Sequence, residues 1–419
     1  MSLLRTRLWR TELRRNWQRV VIPVVTIVAR VHRGTIVRNV RVVAVVGSYG
    51  KTTTARAIAS VLGGDGRTRH LALMVLRLRR RDRHAVLEVR IRLPGQMARY
   101  ARLVRPQIVV VTSIGSEHNK TLRTLEITRD EKADMVRALP PSGIAVLNGD
   151  DPNVMWMATQ TRATVTTFGF DPSNDVWADD VRIDWPHGTR FVLHAENERR
   201  AVEMRLFGRH FVAAVLASVA VAIAEGVNLD SALVQLQRLP PTRNRLELQQ
   251  LPNGAFVLYD HYKSALETVD AALDVLEEVP ARRKIVVLGD VEEPPGRTIE
   301  EVGAMYDRLG ARVAAIATQA TFVHIDTEGP RPTYVASAQA HGLHHPAMVE
   351  VNNVFDALSA MPSDLGDGDV VLVKGSAQQR FHRLALALSG RTVRCALVYC
   401  HAHVECAHCP MLERGWDDR

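Results

Sequence analysis

Short apolar runs rich in β-branched residues alternate along the chain with stretches whose apolar positions recur at helical spacing. From Val42 to about Asn148 the runs are VVAVV, LALMVL, AVLEV, IVVVTS and IAVLN. Uninterrupted apolar runs of this length suit strands covered on both faces, so they predict a parallel, doubly wound sheet. Residues 151 to 205 change character: TVTTFGF and TRFVLHAE read as short strands between turns, before an alanine-rich helix from about Phe211 to Glu225. A second α/β unit starts near Arg245. Its expected strands are FVLYD, KIVVLGD, VAAIAT and DVVLVKG, joined by helices such as ETVDAALDVLEEV and TIEEVGAMYDRLG, which is a Rossmann-like alternation. LPPTRN, residues 239 to 244, is the expected linker.

The run at 42 to 46 stops at Gly47, and a helix-compatible stretch begins at Lys51, so VVAVVGSYGKTTTARAI reads as strand, phosphate loop and helix. Gly47 and Gly50 permit a tight turn that sets the amides of the loop, including Ser48 and Tyr49, against an anion at a helix N-terminus. Lys51 is placed to reach β- and γ-phosphates, Thr52 to ligate Mg²⁺ through its hydroxyl, and Thr53 and Thr54 to add donors. The common spacing of such loops puts a glycine at position 45, where this chain has Val45; the glycine comes two residues late.

Composition narrows the class. With 419 residues, 46% hydrophobic and 24% charged, the chain has room for two or three globular domains. The formal net charge of +9 is concentrated: residues 1 to 41 hold ten arginines and one acid, Glu12, so the remainder is neutral overall. That distribution argues against a nucleic-acid-binding body and for a basic N-terminal appendage. Leu4, Leu8, Leu13 and Trp17 fall at near-helical spacing among arginines, and VVIPVVTIVA follows at 20 to 29, too short to span a bilayer. Two readings of residues 1–31 stand side by side, a peripheral contact with an anionic membrane surface and a helix packed on the body with a solvated arginine face. Without a secretory signal the expected compartment is the cytoplasm, extended to the inner face of the membrane if the first reading holds.

All four cysteines, Cys395, Cys400, Cys406 and Cys409, lie in the last 25 residues. Their C-x₄-C-x₅-C-x₂-C spacing, with His401, His403 and His408 nearby, is compatible with a structural Zn²⁺ site, with buried apolar cysteines, or with a redox Cys-x-x-C pair. The zinc site is the expectation carried forward.

The compressed loop G-S-Y-G-K-T-T-T resembles the ATP loop of the Mur ligase family, which joins amino acids or peptides to carboxylates. The order of further residues matches: Glu88 at the end of HAVLEV, His118 in VVVTSIGSEHNK, Lys132 in RDEKADMV, then NGDDP at 148 to 152. The resemblance implies that Thr52 and Glu88 hold Mg²⁺, that His118 helps hold a second metal, and that Lys132 corresponds to a lysine carried as a carbamate. Carbamylation turns an ammonium that repels Mg²⁺ into an oxygen ligand. FGRHFVAAVLASVAVA keeps Gly208 and His210 of the family's G-x-H-N-x-x-N helix but has Phe211 and Ala214 at the asparagines. RLE at 245 to 247 makes Arg245 the candidate γ-phosphate contact, with Asn244 replacing a glycine, and Asp260 in VLYDHYKSALET is the candidate nucleotide contact from the second unit. Lys374 and Ser376 fall where the family binds the incoming amine. VVLGDVEEPPG and GDVVLVKGSAQQRFHRL are most similar to the branch that adds D-alanyl-D-alanine to a muramoyl tripeptide.

The resemblance covers about residues 42 to 390. It divides the chain into a basic amphipathic segment (1–41), a P-loop doubly wound central ATPase domain (42–240), a Rossmann-like C-terminal domain (245–390) and a Cys/His-rich tail (391–419). It implies an ATP- and Mg²⁺-dependent ligase that activates a carboxylate as an acyl phosphate and lets an amine displace phosphate, with Lys51, Glu88, His118, Lys132 and Arg245 carrying the chemistry in cell-envelope precursor metabolism. Only about 46 residues precede Gly47, too few for the domain with which such ligases grip a uridine nucleotide. The acceptor is therefore expected to be held otherwise, as a lipid-linked carboxylate or with the help of a partner subunit. Poly-γ-glutamate synthesis, a plain P-loop ATPase or kinase, and a non-catalytic nucleotide-binding scaffold are the alternatives.

Overall fold

A computed structural model describes residues 21–64, 70–91, 93–116, 119–294, 298–324, 334–397, 400 and 404–416. The chain splits into two compact units. One holds residues up to Asp180 together with Phe191–Val202 and Phe211–Leu239; the other holds Val181–Arg190, Glu203–His210 and everything from Pro240 onward. The division at Leu239/Pro240 coincides with two consecutive prolines, which cannot continue a helix.

In the first unit α1 (Ile22–Thr35) precedes β1 (Arg41–Val46), α2 (Lys51–Leu62), α3 (Leu71–Arg77), β2 (His84–Glu88), α4 (Gln96–Val104), β3 (Ile108–Val111), α5 (Leu125–Arg137), β4 (Ile144–Asn148) and β5 (Thr164–Gly169). β6 (Val176–Asp184), β7 (Gly188–Ala195) and β8 (Glu198–Met204) complete an eight-stranded sheet of order β2-β1-β3-β4-β5-β6-β7-β8, which is parallel from β2 to β6. α6 (Arg209–Ala224) and α7 (Leu229–Gln237) follow. The register pairs Val45 with Glu88 and Val46 with Val111, so the carboxyl ends of β1, β2 and β3 meet on one edge. Ligands gather on that edge in open α/β sheets.

The second unit is built on a six-stranded sheet of order β13-β12-β11-β14-β10-β9. Its strands are β9 (Glu247–Gln250), β10 (Phe256–Asp260), β11 (Arg283–Gly289), β12 (Gln319–Val323), β13 (Met348–Val351) and β14 (Asp369–Lys374), and all pairs are parallel except β10 with β9. α8 (Leu266–Glu278), α9 (Ile299–Ile316), α10 (Tyr334–Ala340), α11 (Val354–Ser359) and α12 (His382–Leu388) connect or follow the strands. Each unit has its own apolar core, centred on Val42, Val109 and Leu147 in the first and on Val257, Ile285 and Val371 in the second.

Two expected strands are helices. LALMVL forms α3, and VAAIAT falls at the end of α9, the strand arriving only with β12 at Gln319. Both are short apolar runs, which periodicity cannot assign between a buried strand and a buried helix. α3 buries Leu71, Ala72, Met74 and Val75, a helical spacing. The apolar run at 20 to 29 contributes to α1, whereas residues 3 to 19 lie outside the described residues.

α1 is fastened by an unusual side chain. Arg33 is 1% exposed, and its guanidinium donates to the carbonyls of Val37 (2.6 Å), Val104 (2.8 Å) and Arg105 (3.0 Å) and to the side-chain oxygen of Gln107 (3.3 Å). Burial, with the nearby Arg105, lowers its pKa, yet a guanidinium keeps its proton at any ordinary pH. Four neutral acceptors take the place of a counter-ion. In the second unit Asp369 has a fully buried side chain between the guanidinium groups of Arg283 (2.6 Å) and Arg282 (3.0 Å) and accepts from the Gly366 amide (2.9 Å). Those donors hold its carboxyl well below the ordinary carboxylate range.

Arg33→Met is expected to destabilise the first unit by about 2 to 4 kcal/mol, because it strands several buried acceptors, whereas the exposed Arg30→Met should change urea unfolding by less than about 0.5 kcal/mol. Asp369 has a folded pKa below its unfolded value of about 3.9. Its contribution is therefore present above about pH 4 and lost as pH falls further. Urea unfolding between about pH 6 and pH 3 should show the wild type losing stability and Asp369→Asn, weaker from the outset, losing less.

Candidate active site

β1 ends at Val46 because Gly47 takes a φ of +141°, and a Cβ there would lie 2.0 Å from the Thr112 hydroxyl oxygen. Only glycine fits. Gly50, at φ +80°, caps α2. Val45, standing at the position of the common loop's first glycine, is a buried strand residue, which is why the loop can begin two residues later.

The loop is laced to the segment after β3. Ser113 accepts from the Ser48 amide through its carbonyl (2.8 Å) and from the Tyr49 amide through its hydroxyl (3.0 Å). Thr112 donates to the Tyr49 carbonyl (2.5 Å), Ser48 Oγ accepts from the Gly115 amide (2.9 Å), and the Tyr49 and Ser116 hydroxyls pair at 3.0 Å. The Ser48 and Tyr49 amides, expected to face an anion, are thus turned to Ser113. The positive end of α2 remains as the loop's attraction for phosphate.

Lys51 Nζ folds back onto the loop and donates to the carbonyls of Gly47 (2.8 Å) and Ser48 (2.6 Å). Lys132, from α5, is 2% exposed and donates to Ser48 Oγ at 2.7 Å. Burial and the neighbouring Lys51 push its pKa well below the ordinary lysine value, against the pull of Asp151. Two lysines fourscore residues apart in sequence therefore share one serine's surroundings, and Lys132 is biased toward the neutral amine.

Glu88 ends β2 opposite Val45 and is buried. Arg90 donates to its Oε1 (2.5 Å) and to the Thr52 hydroxyl (3.3 Å), while Glu88 Oε2 is buried without a hydrogen-bond partner. Hard oxygen donors with one buried oxygen left over suit Mg²⁺. In this arrangement the Arg90 guanidinium supplies the positive charge between the two proposed ligands. Thr53 is buried in the first turn of α2. His118 lies outside the described residues.

NGDDP does structural work beside the loop. Asn148 donates to the Thr112 carbonyl (2.9 Å), and Asp151 accepts from the Ile114 amide (2.8 Å) while capping the helical turn Pro152–Met155. Asp150 accepts from the Phe170 amide (2.6 Å) and from Asn174 (3.1 Å). Thr112, Ser113, Ser116 and Arg90 escaped sequence reasoning. For the first three, the polar residues of TSIGS immediately after an apolar strand were the only signal.

The second unit has its own cluster. Arg245 lies over the Tyr262 ring, 4.7 Å from its centroid. Asn244, where the family pattern has glycine, adopts φ +59°, a left-handed conformation asparagine tolerates better than most side chains. Asp260 pairs with Lys374 at 2.7 Å, and Lys374, 1% exposed, also donates to the Lys263 carbonyl (2.7 Å) and Thr268 Oγ1 (3.1 Å). Lys374 therefore orients Asp260, with its three donors engaged by Asp260, Lys263 and Thr268. Burial lowers the pKa of His210 to about 4 and that of His261 to about 3, so both are neutral at pH 7. Phe211 and Ala214 are buried apolar residues of α6 and cannot supply the polar contacts of the asparagines they replace.

The zinc expectation finds no support. Among the described residues no three Cys, His, Asp or Glu side chains converge on a metal position, and all four cysteines are free thiols. Cys395 and Cys406 are buried, and burial raises the Cys406 thiol. The described residues of the tail are held by other contacts: a backbone β-bridge joins Cys395 to Trp416, Leu412 is buried, and Arg383 and Arg380 donate to the carbonyls of Leu397 (2.5 Å) and Cys400 (2.7 Å). His401 and His403 lie outside the described residues.

Comparison with known proteins agrees with this geometry. The Mur ligase middle domain matches residues 45–222, and the Mur ligase glutamate ligase domain matches residues 244–377. The UDP-N-acetylmuramoyl-tripeptide–D-alanyl-D-alanine ligase of Mycobacterium tuberculosis H37Rv is 31% identical over 364 residues, covering 80% of this chain and 70% of that protein. The Escherichia coli K12 protein of the same name is 27% identical over 360 residues, covering 83% and 76%. Among solved structures, MurF from Acinetobacter baumannii superposes with a TM-score of 0.74 at 21% identity, covering 88% of this chain and 80% of that one. MurF ligase from Thermotoga maritima, solved with ADP, gives 0.76 at 20% identity, covering 88% and 84%. A P-loop unit with a buried lysine and glutamate at its mouth, followed by a second α/β unit, each matched over residues 45–222 and 244–377 respectively, means that the chain belongs to the Mur ligase family of ATP-dependent, amide bond-forming ligases.

Proposed function

We propose that this ligase joins a small peptide amine, of the D-alanyl-D-alanine kind, to the carboxylate of a muramoyl-peptide precursor of the cell wall, carried on a nucleotide or on a lipid. The observation that carries the reading is the buried constellation of Lys51, Lys132, Ser48 and Glu88 at the end of β1, with one Glu88 oxygen left unpaired. It rests also on similarity to ligases whose names give that reaction.

In the proposed reaction an acceptor carboxylate oxygen attacks the γ-phosphorus of ATP and the bond to ADP breaks. The amine then attacks the acyl carbon of the acyl phosphate, loses a proton, and phosphate leaves. Lys51, transferred from its loop carbonyls to the phosphates, neutralises charge on the γ-phosphoryl group. Thr52 and Glu88 would hold Mg²⁺, which supplies Lewis-acid stabilisation of the same charge. Lys132 as a neutral amine is the form that can add CO₂ to become a carbamate, and its burial favours that form. Arg245 is assigned to the γ-phosphate and Asp260, oriented by Lys374, to the nucleotide. No side chain acts as nucleophile.

A second reading, a nucleotide-binding scaffold without turnover, draws on two observations: Arg90 sits between Thr52 and Glu88, and apolar Phe211 and Ala214 fill the asparagine positions. Phosphate release from ATP, measured against pairs of carboxylates and amines, separates the readings. The panel should include nucleotide-linked and lipid-linked muramoyl peptides with D-alanyl-D-alanine, and glutamate polymers. Release that needs both partners is expected; release indifferent to the amine would indicate a plain ATPase, and ATP binding without release the scaffold.

With an active pair in hand, Lys51→Ala should lower kcat/KM by at least about a hundredfold with an unchanged circular dichroism spectrum. Glu88→Ala should raise the Mg²⁺ concentration for half-maximal activity. Arg90→Ala should lower it, because the competing cation is gone. Lys132→Ala should lose most activity and regain part of it with formate or acetate, whose oxygens replace those of the carbamate.

A further inference from the structure

α1 presents two unlike faces. Ala29 and Arg33 are buried against the first unit, while Val24 (55% exposed), Ile27 (65%), Val28 (51%) and Val31 (60%) stand in solvent, with Ile36 (46%) just beyond the helix end. The spacing i, i+3, i+4, i+7 places the four valine and isoleucine side chains in one stripe along the outer face. Beside this helix lies a loop that sequence reasoning did not connect with it. The chain after α3 reads RLRRRDR from 77 to 83, and Arg77, Arg79, Arg80, Arg81 and Arg83 are all exposed. The loop is docked on α1 by a hydrogen bond between His32 Nε2 and the Leu78 carbonyl (3.0 Å), and turned by the Arg79 amide donating to Asp82 (2.8 Å). α4, the other helix packed on α1, adds exposed Arg102 and Arg105.

The charge of this surface is one-sided. Apart from the buried Arg33, segments 22–40, 70–84 and 96–105 contain two, five and three arginines, all exposed, and a single acid, Asp82. An apolar helical stripe flanked by cations is the pattern of a helix lying in the headgroup layer of an anionic bilayer, with its apolar face buried shallowly among the acyl chains. Two other occupants fit the charge less well. A second copy would bring like-charged arginine surfaces together, and residues 1–20, with six arginines and one acid, carry the same sign. No described helix is long and apolar enough to cross a membrane, which leaves in-plane contact as the mode.

We infer that the outer face of α1, together with the Arg77–Arg83 loop, is a docking surface for an anionic lipid membrane. The inference does not depend on which substrates the ligase joins. Its test uses the full chain and vesicles of phosphatidylcholine, with or without about one-third phosphatidylglycerol. The wild type should sediment with the anionic vesicles, not with the neutral ones, and progressively less as salt rises, because exposed charges are screened. I27E/V31E and R79Q/R80Q/R81Q should each lower the partition coefficient by about tenfold or more, with circular dichroism and thermal unfolding unchanged, since all five side chains are exposed.

Equal partition of the wild type and both variants would overturn the inference, as would a wild type that ignores anionic vesicles or binds neutral ones equally well. A deletion of residues 2–20 that abolishes sedimentation while I27E/V31E retains it would move the contact to the N-terminal segment and refute the α1 face. Light scattering that shows a dimer dissolved by I27E/V31E, without vesicle binding, would make the face an interface between copies and equally refute it.

Discussion

Everything at the phosphate loop depends on how closely the backbone at Gly47 approaches Thr112. With no Cβ to accommodate, the end of β1 lies against the chain leaving β3, and Thr112, Ser113 and Ser116 reach the loop. A loop so laced is held in shape before any ligand arrives, which lowers the ordering cost of binding. The same closeness brings Ser48 within reach of Lys132 from α5, so a helix distant in sequence becomes part of the loop's surroundings. Any side chain at position 47 would force the two strand ends apart and dissolve both connections.

The second tier of support is the NGDDP stretch. Its three polar side chains reach in different directions, to the Thr112 carbonyl, to the start of the segment after β5 and to the Ile114 amide. The glycine between them is crowded as well, since a Cβ at Gly149 would lie 1.8 Å from Asn174 Oδ1. A stretch that entered the sequence reading only through its place in the family order works here chiefly as a brace, and Asp151 also acts at a distance by opposing the loss of charge on Lys132.

Much of this was legible from residue order. The β-branched run ending at Gly47, the helix after Lys51 and the alternation of the second unit are local patterns, and local patterns survive translation into structure. The two misassigned strands have one cause: LALMVL and VAAIAT are short, apolar and without clear period, and only tertiary packing decides between helix and strand. Lys51 was singled out by the loop motif itself, and Glu88 and Lys132 by the family resemblance, through their place in its residue order. Arg90 and the Thr112–Ser116 lacing were not, because their roles arise from contacts between strand ends. The cysteine tail is a separate case: its spacing suggested a metal that finds no support, and among the described residues a β-bridge, a buried leucine and two arginines hold the chain there.

The clamp on Arg33 contains no carboxylate, and this sets it apart from most ion pairs on the molecule. Neutral carbonyls neither titrate nor exchange partners with dissolved ions, so the joint between α1 and the strands behind it should hold its strength through changes of acidity and ionic strength. Next to an anionic surface, where protons and cations concentrate, carboxylate-based fastenings weaken. A helix anchored through backbone dipoles can meet such a surface as a rigid strut, transmitting force to the sheet instead of peeling away from it.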